Sequence, residues 1–195
     1  MISTASVIAA IQKELGSFFS TEAHTTSDIL RYINSASNYI ASYRDFPFLI
    51  KTQTVTYTTP AVAQTITYCL KVIGINGDPD IKVIPQADWF FPDNRVGAIC
   101  VDGDQFIATE AGTYEVMYIG KPDTVTSNST TIDMPPQFEP VLIDVAIHYG
   151  FKDLKLYDKS SAKIGQANNE LNLLAQRITN PTPRQPRRFG ANYHI

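Results

Sequence analysis

The sequence contains few of the residues on which catalysis or metal binding depends. Among its 195 residues are two cysteines and three histidines. Cys69 and Cys100 stand apart in strand-like apolar surroundings, which matches neither a disulfide framework nor a metal site. We therefore expect both thiols to be small buried hydrophobic groups.

Motifs of the common enzyme classes are also absent. The chain has no phosphate-binding glycine loop, no G-x-S-x-G and no H-E-x-x-H. His24 and His194 lie in polar segments, whereas His148 follows Asp144 by one helical turn. Such a pair could orient an imidazole for catalysis, but it is far more often a surface contact. The pattern predicts a protein that is not an enzyme and holds no cofactor or metal.

The sequence also argues against a calcium-binding loop, a membrane span and a signal peptide. Residues 77–80 (GDPD) and 102–104 (DGD) lack the spaced oxygen donors and closing glutamate of a calcium loop, so we interpret them as turns. No apolar run is long enough to span a membrane, and no basic segment precedes the run 7–11 as in a signal peptide. A composition of 44% hydrophobic and 18% charged residues is typical of a globular protein made in the cytoplasm.

The net charge of −3 conceals an uneven distribution. Residues 1–176 hold 12 Lys and Arg against 19 Asp and Glu, whereas residues 177–195 hold four arginines and no acid. Three prolines predict an extended arm over 181–195. One interpretation is a solvated end; the other is an interface arm, because positive charge and apolar side chains suit an acidic neighbour. The second predicts contacts at Arg184, Arg187, Arg188, Phe189, Tyr193 and Ile195.

Helical periodicity marks the first part of the chain. The spacing predicts a helix over 4–15 and a second helix whose first amides are capped by Ser27 or Thr26. We expect Pro47 to end the second helix, because proline disfavours helical geometry at the residue before it. The apolar stripe of this helix is Ile29, Ile33, Ala36, Ile40 and Tyr43.

Helical periodicity returns near the end. Pro135 and Pro136 precede a predicted helix that ends near Tyr157, and we interpret 157–163 (YDKSSAK) as a break. The final helix has the clearest amphipathic stripe. It consists of Ile164, Ala167, Leu171, Leu174 and Ile178.

The middle of the chain alternates as strands do. Residues 49–59, 64–72 and 112–120 are rich in Thr, Val, Ile and Tyr, and Asp102-Gly103 is a hairpin signal. About six antiparallel strands are predicted over 49–133. Within them, "WFFPD" is interpreted as a hydrophobic corner or as an exposed anchor for a partner, formed by Trp89, Phe90 and Phe91.

The predicted fold class is therefore α+β. It comprises a small bundle of about four helices (1–48 and 134–180), an inserted antiparallel β module (49–133) and an extended C-terminal arm (181–195). The insertion leaves the bundle at "YRDFPFLIK" and returns at "DMPPQF". Both corners place proline beside phenylalanine, so Phe46 and Phe48 are interpreted as structural residues that fix the exit in the helical core.

The two helical parts resemble one protein family. "ILRYINSASNYIASYRDFPFLIKTQTVTYT" and "MPPQFEPVLIDVAIHYGFKDLKLYDKSSAKIGQANNELNLLAQRI" are similar to the opening and closing helices of head-to-tail connector, or adaptor, proteins of tailed bacteriophages. The resemblance covers about residues 25–55 and 134–178. The larger β module departs from the compact helical adaptors.

The resemblance implies a structural virion protein at the neck. Such adaptors form a ring, commonly of twelve copies, beneath the portal ring; they bridge it to the tail or a second adaptor, and DNA passes through without being read. No membrane is involved, and the arm would dock on the portal or a neighbouring copy. The alternative from the residues alone is a β-domain binding module for nucleic acid or carbohydrate.

Overall fold

The computed structural model describes residues 1–16, 25–58, 64–66, 69–76, 82–84, 98–102, 105–108 and 111–179. Within these ranges lie four α-helices: α1 (Thr4–Gly16), α2 (Thr26–Tyr43), α3 (Glu139–Asp153) and α4 (Tyr157–Thr179). The strands are β1 (Ile2–Ser3), β2 (Ile50–Tyr57), β3 (Gln64–Thr65), β4 (Cys69–Asn76), β5 (Lys82–Ile84), β6 (Ala98–Asp102), β7 (Gln105–Ala108), β8 (Gly112–Gly120) and β9 (Thr131–Ile132). The predicted α+β class is confirmed.

Helix α2 begins with a capping box that the sequence prediction misplaced. The Thr25 hydroxyl accepts a hydrogen bond from the Asp28 amide at 3.2 Å, and the Asp28 carboxylate accepts one from the Thr25 amide at 3.1 Å. This reciprocal pair satisfies two amides at the helix start. The predicted caps, Thr26 and Ser27, are wrong because only a residue three positions before Asp28 can complete the box.

The same helix ends earlier than predicted. Its last residue is Tyr43, and Arg44 is already extended. Pro47 instead begins a 3-10 turn, Pro47–Leu49, that leads into β2. The prediction that Pro47 ends α2 is therefore wrong. The proline ring restricts the backbone of Phe46, but the helix has already ended at Tyr43, three residues before Phe46.

The break between α3 and α4 lies before the segment predicted for it. Residues 157–163 form the first two turns of α4, and the chain reverses at Leu154–Leu156. The Leu156 amide donates to the Phe151 carbonyl at 2.9 Å, and the Lys155 amide donates to the Lys152 carbonyl at 3.0 Å. These two bonds form a Schellman motif around Lys155, which has a left-handed φ of 59°. Glycine usually occupies this position, so a lysine here carries no signal for the end of a helix.

We expect Lys155→Gly to raise the free energy of unfolding by about 0.5–1 kcal/mol. Glycine removes the steric cost of the left-handed backbone, partly offset by its larger entropy in the unfolded chain. Urea unfolding measures the change. Lys152→Gly, in the last turn of α3, is the control and should lower stability by about 1 kcal/mol. Equal effects of the two substitutions would contradict the assignment.

The strands of the described residues form three sheets. The orders are β1-β9, β2-β8-β4 and β3-β7-β6-β5. Within the described ranges, eight strands lie between residues 50 and 132, whereas about six were predicted. Short segments that pair with strands distant in the sequence account for the difference. The predicted antiparallel pairing holds throughout except between β5 and β6, which are parallel. The predicted hairpin is present, with Asp102 opposite Gln105.

Two groups of buried apolar side chains organise the described residues. The first fills the space between the helices, and Leu49, Ile119, Val125 and Ile132 from the middle of the chain pack into it. The second lies between the two larger sheets and contains Val55, Tyr57, Ile66, Cys69, Ala108, Val116 and Tyr118. Both cysteines are buried thiols, as predicted. The division into domains at 48 and 133 stays a prediction.

Candidate interaction surfaces

The two corners of the predicted insertion meet in the structure. The rings of Phe46 and Phe48 are stacked, with their centroids 5.7 Å apart. The ring of Phe138 contacts both edge-on, with centroid distances of 5.0 Å to Phe46 and 4.9 Å to Phe48. Phe46 and Phe138 are fully buried in the helical core, and Phe48 packs against it. The predicted structural role of Phe46 and Phe48 is thus confirmed. Their packing positions the outgoing and returning chain side by side.

Polar contacts secure the segment that follows β8. The Asn34 side chain on α2 donates to the Val125 carbonyl at 3.0 Å and accepts from the Val125 amide at 2.8 Å. Lys51 on β2 forms an ion pair with Asp123 at 2.7 Å. Asn34 lies outside the apolar stripe of α2, and its partner could not be inferred from the sequence because it is a backbone group 91 residues away.

The candidate catalytic pair is divided between two structural contacts. His148 Nδ1 lies 2.9 Å from the Ser160 carbonyl oxygen and 2.8 Å from its hydroxyl, so it carries the proton and donates. The Ser160 hydroxyl in turn donates to the His148 carbonyl at 3.2 Å. Asp144 accepts from Lys163 at 2.9 Å. Both side chains thus join α3 to α4, and the predicted surface pairing of Asp144 with His148 is wrong.

Lys163 links three helices through its ammonium group. It lies 2.9 Å from Asp144 on α3 and 3.4 Å from Glu14 on α1. Burial lowers the pKa of Lys163, but the hydrogen bond and charge of Asp144, together with Glu14, outweigh burial and leave that pKa raised. Lys163 is therefore charged at neutral pH, and the stability that it gains from the pair is lost as the pH rises through its raised pKa.

A second polar cluster joins α2 to the end of α3. Arg31 donates to Asp153 at 2.6 Å, and the Tyr32 hydroxyl donates to the same carboxylate at 2.9 Å. The hydrogen bond to Asp153 raises the pKa of Arg31. The pKa of Tyr32 is also raised, chiefly by burial of its hydroxyl and secondly by the hydrogen bond to the Asp153 carboxylate. Arg31 and Asp153 are both largely exposed, so this pair guides orientation more than it adds stability.

Two tyrosines of α2 reach across to α4. The Tyr39 hydroxyl donates to Asn168 at 2.7 Å, and the Tyr43 hydroxyl donates to Asn172 at 2.8 Å. The two tyrosines are four residues apart on α2, and the two asparagines are four residues apart on α4. The second bond therefore repeats the first one helical turn further along both helices. This matched spacing is a sequence signal that the prediction missed.

Two open clefts border α2 and α4. One of about 510 Å³ lies between α2, β4 and α3, where Leu70, Lys121 and Tyr149 line it together with residues of α2. The other, of about 240 Å³, lies beside the last turns of α4 and is lined by Gln137, Glu170, Leu173, Leu174 and Arg177. Neither places a nucleophile beside a base.

The predicted interface residues lie outside the residues that the structure describes. These are the arm residues Arg184, Arg187, Arg188, Phe189, Tyr193 and Ile195, and the aromatic residues Trp89, Phe90 and Phe91. His24, His194 and the aspartate-rich residues 77–80, 103 and 104 also lie outside them. In the described ranges, no group of His, Cys, Asp and Glu is arranged to hold a metal ion. Helices in those ranges are also too short or too polar to cross a membrane.

The chain as a whole matches one protein family model. The model is described as SU10 adaptor protein, and the match extends over residues 2–188. It therefore includes all four helices and all nine strands given above. No curated protein matches the chain.

Proposed function

The chain belongs to the SU10 adaptor protein family, and on that premise we propose that it is the head-to-tail adaptor of a tailed bacteriophage. It assembles as a ring, in about the twelve copies its resemblance implies, beneath the portal ring at the virion neck. There it bridges the portal to the tail or to a second adaptor and lines the channel through which DNA leaves. The observation that carries this proposal is the family match over residues 2–188.

The geometry supports a structural role over a catalytic one. His148 and Asp144, the residues best suited to proton transfer, are both engaged in contacts between α3 and α4. His148 Nδ1 and the buried Ser160 bond to each other, and the Ser160 hydroxyl donates to the His148 carbonyl, so this pair serves as a contact between the two helices. The helices are joined instead by ion pairs and tyrosine–asparagine bonds, which suit a rigid platform that meets other proteins.

The charge of the body supports a channel that releases DNA. Residues 1–176 carry 12 basic against 19 acidic side chains. Affinity for DNA without sequence preference grows with the number of phosphates that Lys and Arg neutralise. An acidic ring therefore lets DNA pass without retaining it.

The C-terminal arm is the proposed attachment to the portal or to a neighbouring copy. It follows α4 in the sequence, and the last turns of α4 line the 240 Å³ cleft with Leu173, Leu174 and Arg177. Arg184, Arg187 and Arg188 supply charge for carboxylates, and Phe189, Tyr193 and Ile195 supply apolar anchors. The aromatic residues Trp89, Phe90 and Phe91 are proposed as a second contact, made by the β module.

Deletion of residues 181–195 is expected to abolish binding to isolated portal rings. The measurement is negative-stain microscopy with co-sedimentation, since the deletion spares every residue of α4. Replacing the three arm arginines by lysine keeps the positive charge but removes bidentate pairing with carboxylates. This variant should therefore bind portal rings more weakly without losing binding altogether. Unchanged portal binding by the deletion variant would refute the role of the arm. Absence of binding by the intact chain would refute the proposed function.

A further inference from the structure

The two halves of α4 are fastened to the rest of the chain in different ways. In the first half, the buried Ser160 bonds to His148 of α3 at 2.8 Å. The Lys163 ammonium group also forms ion pairs with both α3 and α1. Residues 157–164, which we call the proximal half, are therefore held by groups of two other helices. We call residues 168–179 the distal half.

The distal half buries little apolar surface. Among its described side chains, the fully buried apolar ones are Leu171 and Ala175, whereas Leu174 and Ile178 are half-buried. Helix α3 packs far more apolar volume into the same core. Its large, fully buried side chains there are Val141, Leu142, Val145, Ile147 and Phe151. Because the cost of exposing apolar groups grows with their buried area, the distal half leaves the core at a lower cost than α3.

The polar contacts of the distal half can be replaced by water. Its Asn168 and Asn172 accept the two tyrosine hydrogen bonds from α2, and Asn172 is exposed. Hydroxyl and amide groups released from such bonds both bind water, so each bond adds little net stability. On another side, the distal half lines the 240 Å³ cleft together with Gln137. The contacts there are open, in contrast to the ion pairs and buried bond of the proximal half.

Gly165 lies between the two halves. A Cβ atom added at this position would meet nothing within 4 Å, so no neighbour in the described chain requires a glycine. Glycine inside a helix weakens it, because its unfolded backbone has more freedom to lose. The helix thus has a weak point directly after the ion pairs of Lys163 and before the first bond of the distal half.

We propose that the distal half of α4 is a releasable element of the fold. It leaves the helical core as a unit, about Gly165, while α1, α2, α3 and the proximal half stay folded. A detached helix of this length is marginal in water, so its amides lose their helical hydrogen bonds on release. The arm 181–195 follows the distal half in the sequence, so release frees the start of the arm from the core. Release is a property of the single chain and needs no portal.

Hydrogen exchange of the dilute, purified full-length chain tests the release. Mass spectrometry of overlapping peptides locates the exchange along the sequence. Amides of the distal half are expected to exchange at least about tenfold faster than those of α1 and α3, with similar protection throughout the segment. Protection equal to that of α3 would overturn the proposal.

A substitution outside α4 separates release from unfolding of the whole chain. Ile11 is fully buried in α1, and Ile11→Val removes one methylene group from the core. This variant should speed the exchange of α1 and α3 about two- to tenfold and leave that of the distal half unchanged. Equal acceleration of all these segments would mean that the distal half opens only when the chain unfolds, and would overturn the proposal.

A substitution of tyrosine tests the bonds that hold the distal half. Tyr43→Phe removes the hydroxyl that donates to Asn172, so it should speed exchange of the distal half about two- to tenfold. Tyr157→Phe makes the same change at an exposed position of the proximal half and should leave that exchange unchanged. Equal effects of the two variants would contradict the assignment of this bond. Circular dichroism checks that each variant is folded.

Gly165→Ala distinguishes release as a unit from fraying of the helix end. Alanine strengthens the helix at the junction and should slow exchange throughout the distal half about two- to fivefold. If only the last residues fray, their exchange would not respond to position 165, and that result would overturn the proposal. All of these measurements use the chain without portal rings. Failure of the intact chain to bind the portal would count against the proposed function and not against release.

Discussion

Replacing Phe138 by alanine is expected to lower the free energy of unfolding by about 3–5 kcal/mol. The ring is fully buried and lies 5.0 Å from Phe46 and 4.9 Å from Phe48. Its removal leaves a cavity that the adjacent helices cannot fill, and it also removes two edge-on aromatic contacts of about 0.5–1.5 kcal/mol each. Since whole domains are stable by about 5–15 kcal/mol, this single change threatens the fold.

Urea unfolding of Phe138→Ala measures this loss. Tyr157→Ala is the matched control, because Tyr157 is 61% exposed at the start of α4 and its removal should cost little. A cycle with Phe46→Leu and Phe138→Leu isolates the contact between the two corners, with an expected coupling of about 0.5–1.5 kcal/mol. Additive effects of the two leucine substitutions would show that the corners do not support each other.

Gly150→Ala is expected to destabilise the chain by about 1–2 kcal/mol, although alanine favours a helix. A Cβ atom at Gly150 would lie 2.6 Å from one methyl carbon of Leu15 and 3.1 Å from the other. Leu15 is itself buried at 1% exposure, so either its side chain takes a less favourable rotamer in a filled core or α1 and α3 move apart. The cost of overpacking, about 1–3 kcal/mol, outweighs the gain in propensity of about 0.5–1 kcal/mol.

Gly165→Ala is the control for Gly150→Ala, because both glycines are inside helices and only one has a close neighbour. The two variants should change the free energy of unfolding in opposite directions, with a difference of about 2 kcal/mol. Chemical denaturation of the dissociated chain measures both. Stabilisation by both substitutions would mean that α1 and α3 are not packed as closely as described.

Local pattern was sufficient for most of the secondary structure. The bounds of α1, the buried stripe of α2 and the apolar stripe of α4 follow from spacing, because an amphipathic helix needs only one core to face. The alternation in β2 and β8 likewise predicted their buried and exposed faces. The predicted role of Phe46 and Phe48 succeeded for a similar reason, since aromatic residues beside proline tend to anchor a corner.

Local pattern failed where the partners of a residue, and not its own preference, decide the conformation. Lys155 adopts a left-handed backbone that its own side chain disfavours, and the hydrogen bonds and packing of Phe151 and Leu156 hold it there. The pairing of β1 with β9 joins residues about 130 positions apart, which no short window of sequence contains. His148 and Asp144 lie one helical turn apart, yet each finds a partner on α4.

The amino-acid sequence thus determined the class of the fold, its helices, its aromatic corners and the acidic balance of its body. Those features depend on periodicity and composition, which are local or additive properties. Only the tertiary structure decided which polar side chains meet and which helix face remains uncovered, because both depend on the packing of elements far apart in the chain. Asn34 illustrates the difference: the residue is ordinary in sequence, and its two hydrogen bonds to Val125 arise only because the fold brings the two segments together.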